Sequence, residues 1–149
     1  MAQPVPPDEH KGLGVFTFGA DLSQWEEQLE GTLQISYGQK YFDYQGDSMK
    51  TMYGLKVRTV NVGFLHEKLN YIDIYFKGLD EEGFMALLKM VEQDFGPAEV
   101  FEDPSEPGVL NSYRWKGAKK SFQLLRYGKG AIDWDDRDMT ILMAQAAPN

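Results

Sequence analysis

The stretch that decides the fold reads VRTVNVGFLHEKLNYIDIYF and spans residues 57–76. Apolar side chains alternate along both of its halves, and this period of two is typical of strands that are buried on one side. The alternating residues are Val60, Val62, Phe64, Ile72, Ile74 and Phe76. The connection over residues 65–69 is too polar for a core and too short for a crossover. The two strands are therefore predicted to pair as an antiparallel hairpin.

A capped helix is predicted directly after this hairpin. Asp80 is a good N-cap, and acidic residues follow it in the first turn, where the helix dipole favours negative charge. Gly96 provides a left-handed cap, and Pro97 prevents the helix from continuing. The apolar residues follow the spacing of one buried stripe, made of Phe84, Leu87, Leu88, Val91 and Phe95. This stripe predicts a helix that packs on the sheet.

The rest of the chain is predicted to add one more helix and further strands. That helix begins at Asp21, which is a good N-cap, and ends at Gly31. A second hairpin joins residues 112–115 to residues 121–127 across a turn rich in lysine and glycine. Residues 140–143 form a short apolar run that is predicted to close the sheet as an edge strand.

The order of these elements predicts an α+β fold. Two helices are expected to pack on one face of a curved antiparallel sheet, in the order α-β-β-β-α-β-β-β. Residues 1–12 are polar and rich in proline and should form a flexible leader. Residues 13–144 should form a single domain, and residues 145–149 should fray.

Composition restricts the classes of partner. The 149-residue chain has a formal net charge of −8 at pH 7 and contains no cysteine. The negative charge repels nucleic acid and anionic membranes, and no apolar run approaches the ~20 residues that a membrane-spanning helix needs. The absence of cysteine excludes disulfides and thiolate chemistry. The main basic run contains Lys116, Lys119 and Lys120 and is interpreted as a solvated turn.

Several turn and core signals resemble those of small exported bacterial proteins of unknown function. They lie in residues 14–19, residues 64–76, residues 95–97 (FGP) and Trp115. The resemblance implies a helix-on-antiparallel-sheet fold similar to that of β-lactamase-inhibitor-like proteins. Those inhibitors carry disulfides and this chain has no cysteine, so no inhibitory activity is carried over.

Two locations follow from two resemblances. Residues 1–4 (MAQP) resemble the remnant of a cleaved signal peptide behind an added start methionine, which favours a periplasmic or secreted protein. The size and acidity of the chain also resemble those of type III secretion chaperones, which implies a cytoplasmic dimer as the alternative. Residues 140–144 read as strand more than helix and give no strong dimer helix.

No catalytic set can be assembled from the sequence, so the protein is predicted to be no enzyme and to need no cofactor. His10 and His66 are the only histidines, and neither has a second histidine at ligand spacing. Four carboxylates of the type that Ca²⁺ prefers stand at Asp133, Asp135, Asp136 and Asp138. Their spacing departs from that of an EF-hand, so a solvated acidic turn is the main interpretation and a calcium site the alternative.

Residues 37–53 have the most unusual composition in the chain. Tyrosine and methionine stand there among glycine and polar residues, at Tyr37, Tyr41, Tyr44, Met49, Met52 and Tyr53. Both residue types are adaptable contact residues that are favoured in binding patches. We therefore predict a non-enzymatic binding protein, monomer or dimer, that contacts another protein through this stretch or through an exposed sheet face. The other interpretation is that half of these residues lie on the sheet beneath the helices.

Overall fold

A computed structural model describes residues 4–34, 37–101, 108–128 and 139–147. The strands are β1 (Gly12–Leu13), β2 (Phe16–Thr17), β3 (Leu29–Gln34), β4 (Gln39–Tyr44), β5 (Thr51–Met52), β6 (Leu55–Leu65), β7 (Lys68–Phe76), β8 (Glu99–Val100), β9 (Val109–Lys116), β10 (Lys120–Tyr127) and β11 (Met139–Ala146). The α-helices are α1 (Leu22–Trp25) and α2 (Glu81–Phe95), and 3₁₀ turns lie at Pro7–Glu9 and Glu26–Gln28.

These elements confirm an α+β protein that is mostly antiparallel sheet. In the described part of the chain, the main sheet has the strand order β3-β4-β6-β7-β11-β10-β9-β8, and β5 pairs with β6. Every pair of neighbouring strands in it is antiparallel. The curvature of the sheet and the packing of both helices on one face stay predictions.

The hairpin predicted over residues 57–76 is confirmed as β6 and β7. Its register places Val60 opposite Ile74, and both side chains are buried in the core. The turn is shorter than predicted, because Leu65 already pairs with Lys68. Only His66 and Glu67 form it, with φ angles of 49° and 67°. Two successive positive φ angles give a turn whose twist matches that of the strands it joins.

The predicted edge strand is the one clear error in the sheet. β11 lies between β7 and β10 and pairs with both along most of its length. Its residues are buried on both faces, with Met139 and Ile141 on one side and Thr140 and Leu142 on the other. A strand whose apolar residues do not alternate with polar ones is typically paired along both edges and packed against other residues on both faces.

The bounds and the apolar stripe of helix α2 are confirmed, but Gly96 has a ψ of −174° and is not the left-handed cap that was predicted. The Asp80 carboxylate accepts a hydrogen bond of 2.7 Å from the backbone N–H of Gly83. All five stripe residues, Phe84, Leu87, Leu88, Val91 and Phe95, are buried. After the helix, Gly96 has a φ of 92°, and its carbonyl accepts a hydrogen bond of 2.8 Å from the indole N–H of Trp115.

The first predicted helix is much shorter than expected. α1 ends at Trp25, one 3₁₀ turn follows, and Leu29 already begins β3, where it pairs with Tyr44. Asp21 makes no capping hydrogen bond, and its carboxylate instead forms an ion pair with Lys68. A helix this short has little intrinsic stability, so strand pairing with β4 overrides its helical pattern.

The predicted flexible leader is docked from Val5 onward. The backbone N–H of Val5 donates to the carbonyl of Asp94 at 3.0 Å. The His10 ring stacks on Phe95 with 3.8 Å between ring centroids, and its Nε2 atom lies 3.0 Å from the Val5 carbonyl oxygen. These contacts hold the segment against the C-terminal end of α2.

Part of the predicted frayed tail, residues 145–147, is held by the sheet. β11 continues through Ala146, which pairs with Lys120. The backbone N–H of Ala147 then donates to the carbonyl of Lys119 at 2.7 Å. This part of residues 145–149 therefore belongs to the sheet and to one wall of the site that lies next to it.

Candidate functional site

A cleft with a volume of about 620 Å³ opens at the end of the sheet where the β6–β7 and β9–β10 turns meet. This volume lies within the range of roughly 300–1,000 Å³ that is usual for small-molecule sites. The described residues that line it are Lys11, Thr17, Phe18, Gly19, Leu65, His66, Lys68, Leu69, Asn70, Lys119, Lys120, Ala146 and Ala147. We call it the lysine cleft.

Strand register explains why a cleft forms at this place. The pairing between β7 and β11 starts at Tyr71 and Gln145, so the first three residues of β7 extend beyond it. A segment near the N-terminus covers one side of that extension. There the N–H of Gly19 donates to the Leu69 carbonyl at 2.8 Å, and the N–H of Leu69 donates to Ala20 at 2.9 Å. Leu69 is thereby buried at the base of the cleft.

The cleft carries positive charge in a chain that is acidic overall. Four lysines line it, and none of its described lining residues has a carboxylate. Lys68 forms an ion pair with Asp21. The Lys120 ammonium group donates to the carbonyl of Asp8 at 3.1 Å and lies 5.8 Å from the centre of the Phe18 ring. The two other lysines, Lys11 and Lys119, make no side-chain hydrogen bond or ion pair with any part of the chain that the structure describes.

Asp8 fixes the turn that presents two of these lysines. Its carboxylate accepts hydrogen bonds of 2.9, 2.8 and 2.9 Å from the backbone N–H groups of Ala118, Lys119 and Lys120. The bonds from Lys119 and Lys120 are the main reason why the pKa of Asp8 lies below its usual value. A segment 110 residues away in sequence thus positions the β9–β10 turn.

His66 also lines the cleft, and its ring rests on a glycine. The backbone N–H of His66 donates to the Gly38 carbonyl at 3.1 Å. A side chain at residue 38 would put a Cβ atom 2.5 Å from Nδ1 of His66, and the φ of Gly38 is +86°. Only glycine therefore fits beneath this ring without strain.

A second group of polar residues lies on the face of the sheet away from the core, and we call it the carboxyl cluster. It consists of Asn61 on β6 and Tyr71, Asp73 and Tyr75 on β7. Asp73 is only 7% exposed, and burial raises its pKa to about 7, although a hydrogen bond from Tyr71 acts in the opposite direction. Burial together with the nearby charge of Asp73 raises the pKa of Tyr75 to about 12.

Two oxygens of the carboxyl cluster lack hydrogen-bond partners. Asn61 and Asp73 are directly opposite each other across β6 and β7. The Oδ1 atom of each is buried, and neither has a partner within the described ranges. The cavities described on this face measure about 130 and 40 Å³, and Asp73 lines neither of them. Asp73 is therefore a buried acid that none of the described cavities reaches.

The structure does not assemble the predicted tyrosine and methionine patch. Tyr44 and Met49 are 7% and 6% exposed and belong to the hydrophobic core, so they offer no surface to a partner. Met52 and Tyr53 are half-buried against that core. Tyr41 is half-buried beside Tyr71, with 5.5 Å between ring centroids. Tyr37 is 90% exposed and is the one member of the set with a fully accessible ring.

The candidate metal residues are not tested by the structure. Asp133, Asp135, Asp136 and Asp138 lie outside the described residues. Within the described ranges, no group of three or more His, Asp or Glu side chains is placed to hold a metal ion. His10 lies on Phe95, and His66 lies at the cleft, so the two histidines are not brought together.

Comparisons with protein-family models, with curated proteins and with solved structures find no match to this chain. The resemblances proposed from the sequence therefore stay predictions, as do the location and the oligomeric state. No helix among the described residues is long and apolar enough to cross a membrane.

Sequence reasoning found part of the lysine cleft and missed the rest. It noted Lys119 and Lys120 but interpreted them as a solvated turn, and it placed His66 in a loop without a role. Lys11 and Lys68 were missed, because only the strand order brings them to the same end of the sheet. No local signal indicated this, because β11 lies between the two hairpins and its central position is not encoded in either turn.

Proposed function

We propose that the protein is a non-enzymatic binding protein and that the lysine cleft holds a small ligand with an apolar body. The observation that carries this proposal is the cleft itself, a ligand-sized space with an apolar floor and a polar rim. Small-molecule sites combine an apolar lining with a few polar groups that fix the orientation of the ligand. Here Phe18 and Leu65 supply the apolar lining, and lysines supply the rim.

The chemistry of the lining supports binding more than catalysis. Its described residues include no carboxylate, no serine and no cysteine. His66 therefore has no acidic residue beside it in the lining that would orient it as a base. Lysine, threonine and asparagine side chains at the rim are suited to hydrogen bonding with a ligand.

Contact with another protein is the second candidate, and Tyr37 is the observation that favours it. Its ring is 90% exposed, and its φ of 51° is unusual for a residue other than glycine. Tyr37 precedes Gly38, on which His66 rests, so a partner bound to this ring would lie next to the cleft. An exported protein, a cytoplasmic chaperone dimer and a calcium site at residues 133–138 remain proposals from the sequence.

Blocking the cleft tests the proposed function. Ala147 is exposed and lines the cleft, so Ala147→Trp should fill part of it. Ala86 is exposed on α2 and lines none of the described cavities, so Ala86→Trp is the matched control. Octanoate and octanol are the probes, and titration calorimetry measures their affinity. At least one probe should bind the unmodified protein and the Ala86→Trp variant, and Ala147→Trp should weaken it at least tenfold. Equal affinity for all three proteins would refute the proposal.

A further inference from the structure

The charges around the lysine cleft allow the class of ligand to be narrowed, and this step rests on the proposed function. The chain has eight more acidic than basic side chains, yet four lysines line this one space. Positive charge concentrated at a cleft, in a protein whose net charge is negative, favours negatively charged ligands. The local charge therefore points to an anion.

Two of the four lysines are already occupied by the protein. Lys68 is paired with Asp21, which offsets its charge. Lys120 donates to the backbone carbonyls of Asp8 and His10, at 3.1 and 2.5 Å. These contacts fix the position of its ammonium group and use two of its three donors. These contacts hold both lysines in place at the rim and leave them less able to bind a ligand.

Lys11 and Lys119 are the lysines that remain for a ligand. Both are exposed and line the cleft, and neither ammonium group has a hydrogen-bond or ion-pair partner among the residues described. Asp8 attracts Lys119 electrostatically, but the oxygens of that carboxylate already accept three backbone N–H groups. Both side chains line the same cleft, and an anionic head accepts charge-assisted hydrogen bonds from lysine.

The apolar residues at the floor of the cleft indicate the chemistry of the uncharged part of the ligand. Phe18 and Leu65 are half-buried and present apolar surface to the cleft, whereas Leu69 beneath them is 1% exposed. Apolar surface of this kind gains free energy when a hydrocarbon replaces water on it. A fully hydrated ion such as free phosphate would leave that surface uncovered.

We infer that the lysine cleft binds a small amphipathic anion, with its head on Lys11 and Lys119 and its aliphatic or aromatic body on Phe18 and Leu65. The head is a carboxylate or a phosphate, since both groups accept charge-assisted hydrogen bonds from lysine. The ion pairs are exposed to solvent, so binding should weaken as salt is added.

Four probes of equal chain length separate charge from apolar contact. Titration calorimetry compares octanoate, octyl phosphate, octanol and octylamine. We expect the two anions to bind at least tenfold more tightly than octanol, and octylamine to bind most weakly. The stronger of the two anions identifies the head group. Inorganic phosphate alone should bind far more weakly than octyl phosphate.

A double variant assigns the effect to the two lysines. Lys11→Gln with Lys119→Gln should reduce the affinity for the anions at least tenfold and leave that for octanol unchanged. Lys77→Gln with Lys89→Gln removes the same charge from exposed positions that line none of the described cavities, and should leave all affinities unchanged. An equal loss in both double variants would show a general charge effect and would overturn the assignment.

The outcomes distinguish this inference from the proposed function. If octanol binds as tightly as octanoate and Ala147→Trp blocks both, the cleft is a binding site but its ligand is not an anion. If no probe binds, or if Ala147→Trp has no effect, the proposed function fails and the inference fails with it. Tight binding of octylamine would overturn the inference alone.

Discussion

The lysine cleft and the carboxyl cluster lie on the same strand, β7, but the surroundings of their charged groups differ. In the cleft, Lys68 and its neighbours stand at the open end of the strand beside a space of about 620 Å³. In the cluster, Asp73 stands in the middle of the strand and is 7% exposed. Water stabilises the first set of charges, whereas burial penalises the second.

This difference shows that charge alone does not define a ligand site. The cleft combines accessible charge with room and an apolar floor, so a ligand from solvent can use it. The cluster has a strongly perturbed carboxyl, a feature that often marks functional sites. None of the described cavities reaches Asp73, and its raised pKa predicts an effect on stability.

Asp73→Asn should give the largest effect on stability. The folded-state pKa of about 7 lies above the ordinary value of 3.8, so the folded protein keeps a proton that the unfolded chain loses. The free energy of unfolding should therefore fall by about 1.4 kcal/mol per pH unit, ~4 kcal/mol in all, between about pH 4 and pH 7. Above pH 7 this contribution should be constant. The asparagine variant should lack the decline and be the more stable protein at pH 8.

Urea denaturation from pH 4 to pH 8.5 measures this effect. Asp43→Asn is the control, because Asp43 is exposed and pairs with Asn61 from the other side. Its pH profile should follow that of the unmodified protein. Parallel profiles for the Asp73→Asn variant and the unmodified protein would mean that ionising Asp73 does not lower the free energy of unfolding. The contrast between the cleft and the cluster would then disappear.

Tyr44→Ala extends the comparison to residues 37–53 and should have the next largest effect. The Tyr44 ring lies in the core, with centroid distances of 5.1 Å to Phe16 and 5.9 Å to Trp25. Removing a buried aromatic ring should lower the free energy of unfolding by about 3 kcal/mol. Tyr37→Ala is the exposed counterpart and should change it by less than about 0.5 kcal/mol. If Tyr44→Ala and Tyr37→Ala changed stability equally in thermal denaturation, Tyr44 would not be buried in the core.

Asp8→Asn should have a smaller effect that reaches the cleft indirectly. The amide retains an acceptor for the β9–β10 turn but loses the charge that strengthens three hydrogen bonds. The melting temperature should fall by a few degrees, and octanoate affinity should fall severalfold because Lys119 and Lys120 are less well positioned. Glu9→Gln, an exposed neighbour, serves as the control. A variant with lower melting temperature but full affinity would show that Asp8 does not position the lysines.

Lys11→Gln should have the smallest effect on stability. Its side chain is exposed and makes no hydrogen bond or ion pair within the part of the chain that is described. The free energy of unfolding should change by less than about 0.5 kcal/mol, the usual limit for such surface positions. A larger loss in urea denaturation would mean that Lys11 supports the fold, and the cleft would then resemble the carboxyl cluster.

The elements that depend on local pattern were predictable from the sequence. Alternation along residues 57–76 and the stripe from Phe84 to Phe95 each encode a buried face, and the structure confirms both. The first helix was wrong because its pattern is weak and Leu29 pairs with Tyr44 instead. The central position of β11 was missed, although the unbroken apolar run over residues 141–144 is a sequence pattern typical of burial on both faces.

The site depends on contacts that local pattern does not encode. Strand order brings the turn at His66 and Glu67 to the same end of the sheet as the turn before Lys120. Lys11 reaches the cleft because Asp8, three residues before it, binds a turn far along the chain. Tyr44 and Met49 resemble Tyr37 in composition but are buried, since strand position decides exposure and residue type does not.

The most direct test of the account is a map of amide chemical shifts during a titration with octanoate. We expect shifts to concentrate on residues 65–70, on residues 117–120 and on Ala147, which surround the lysine cleft. Amides of residues 72–75 and 140–143, next to the carboxyl cluster, should stay unchanged. Shifts that concentrate on those residues, while the cleft amides stay unchanged, would contradict the claim that the lysine cleft is the binding site.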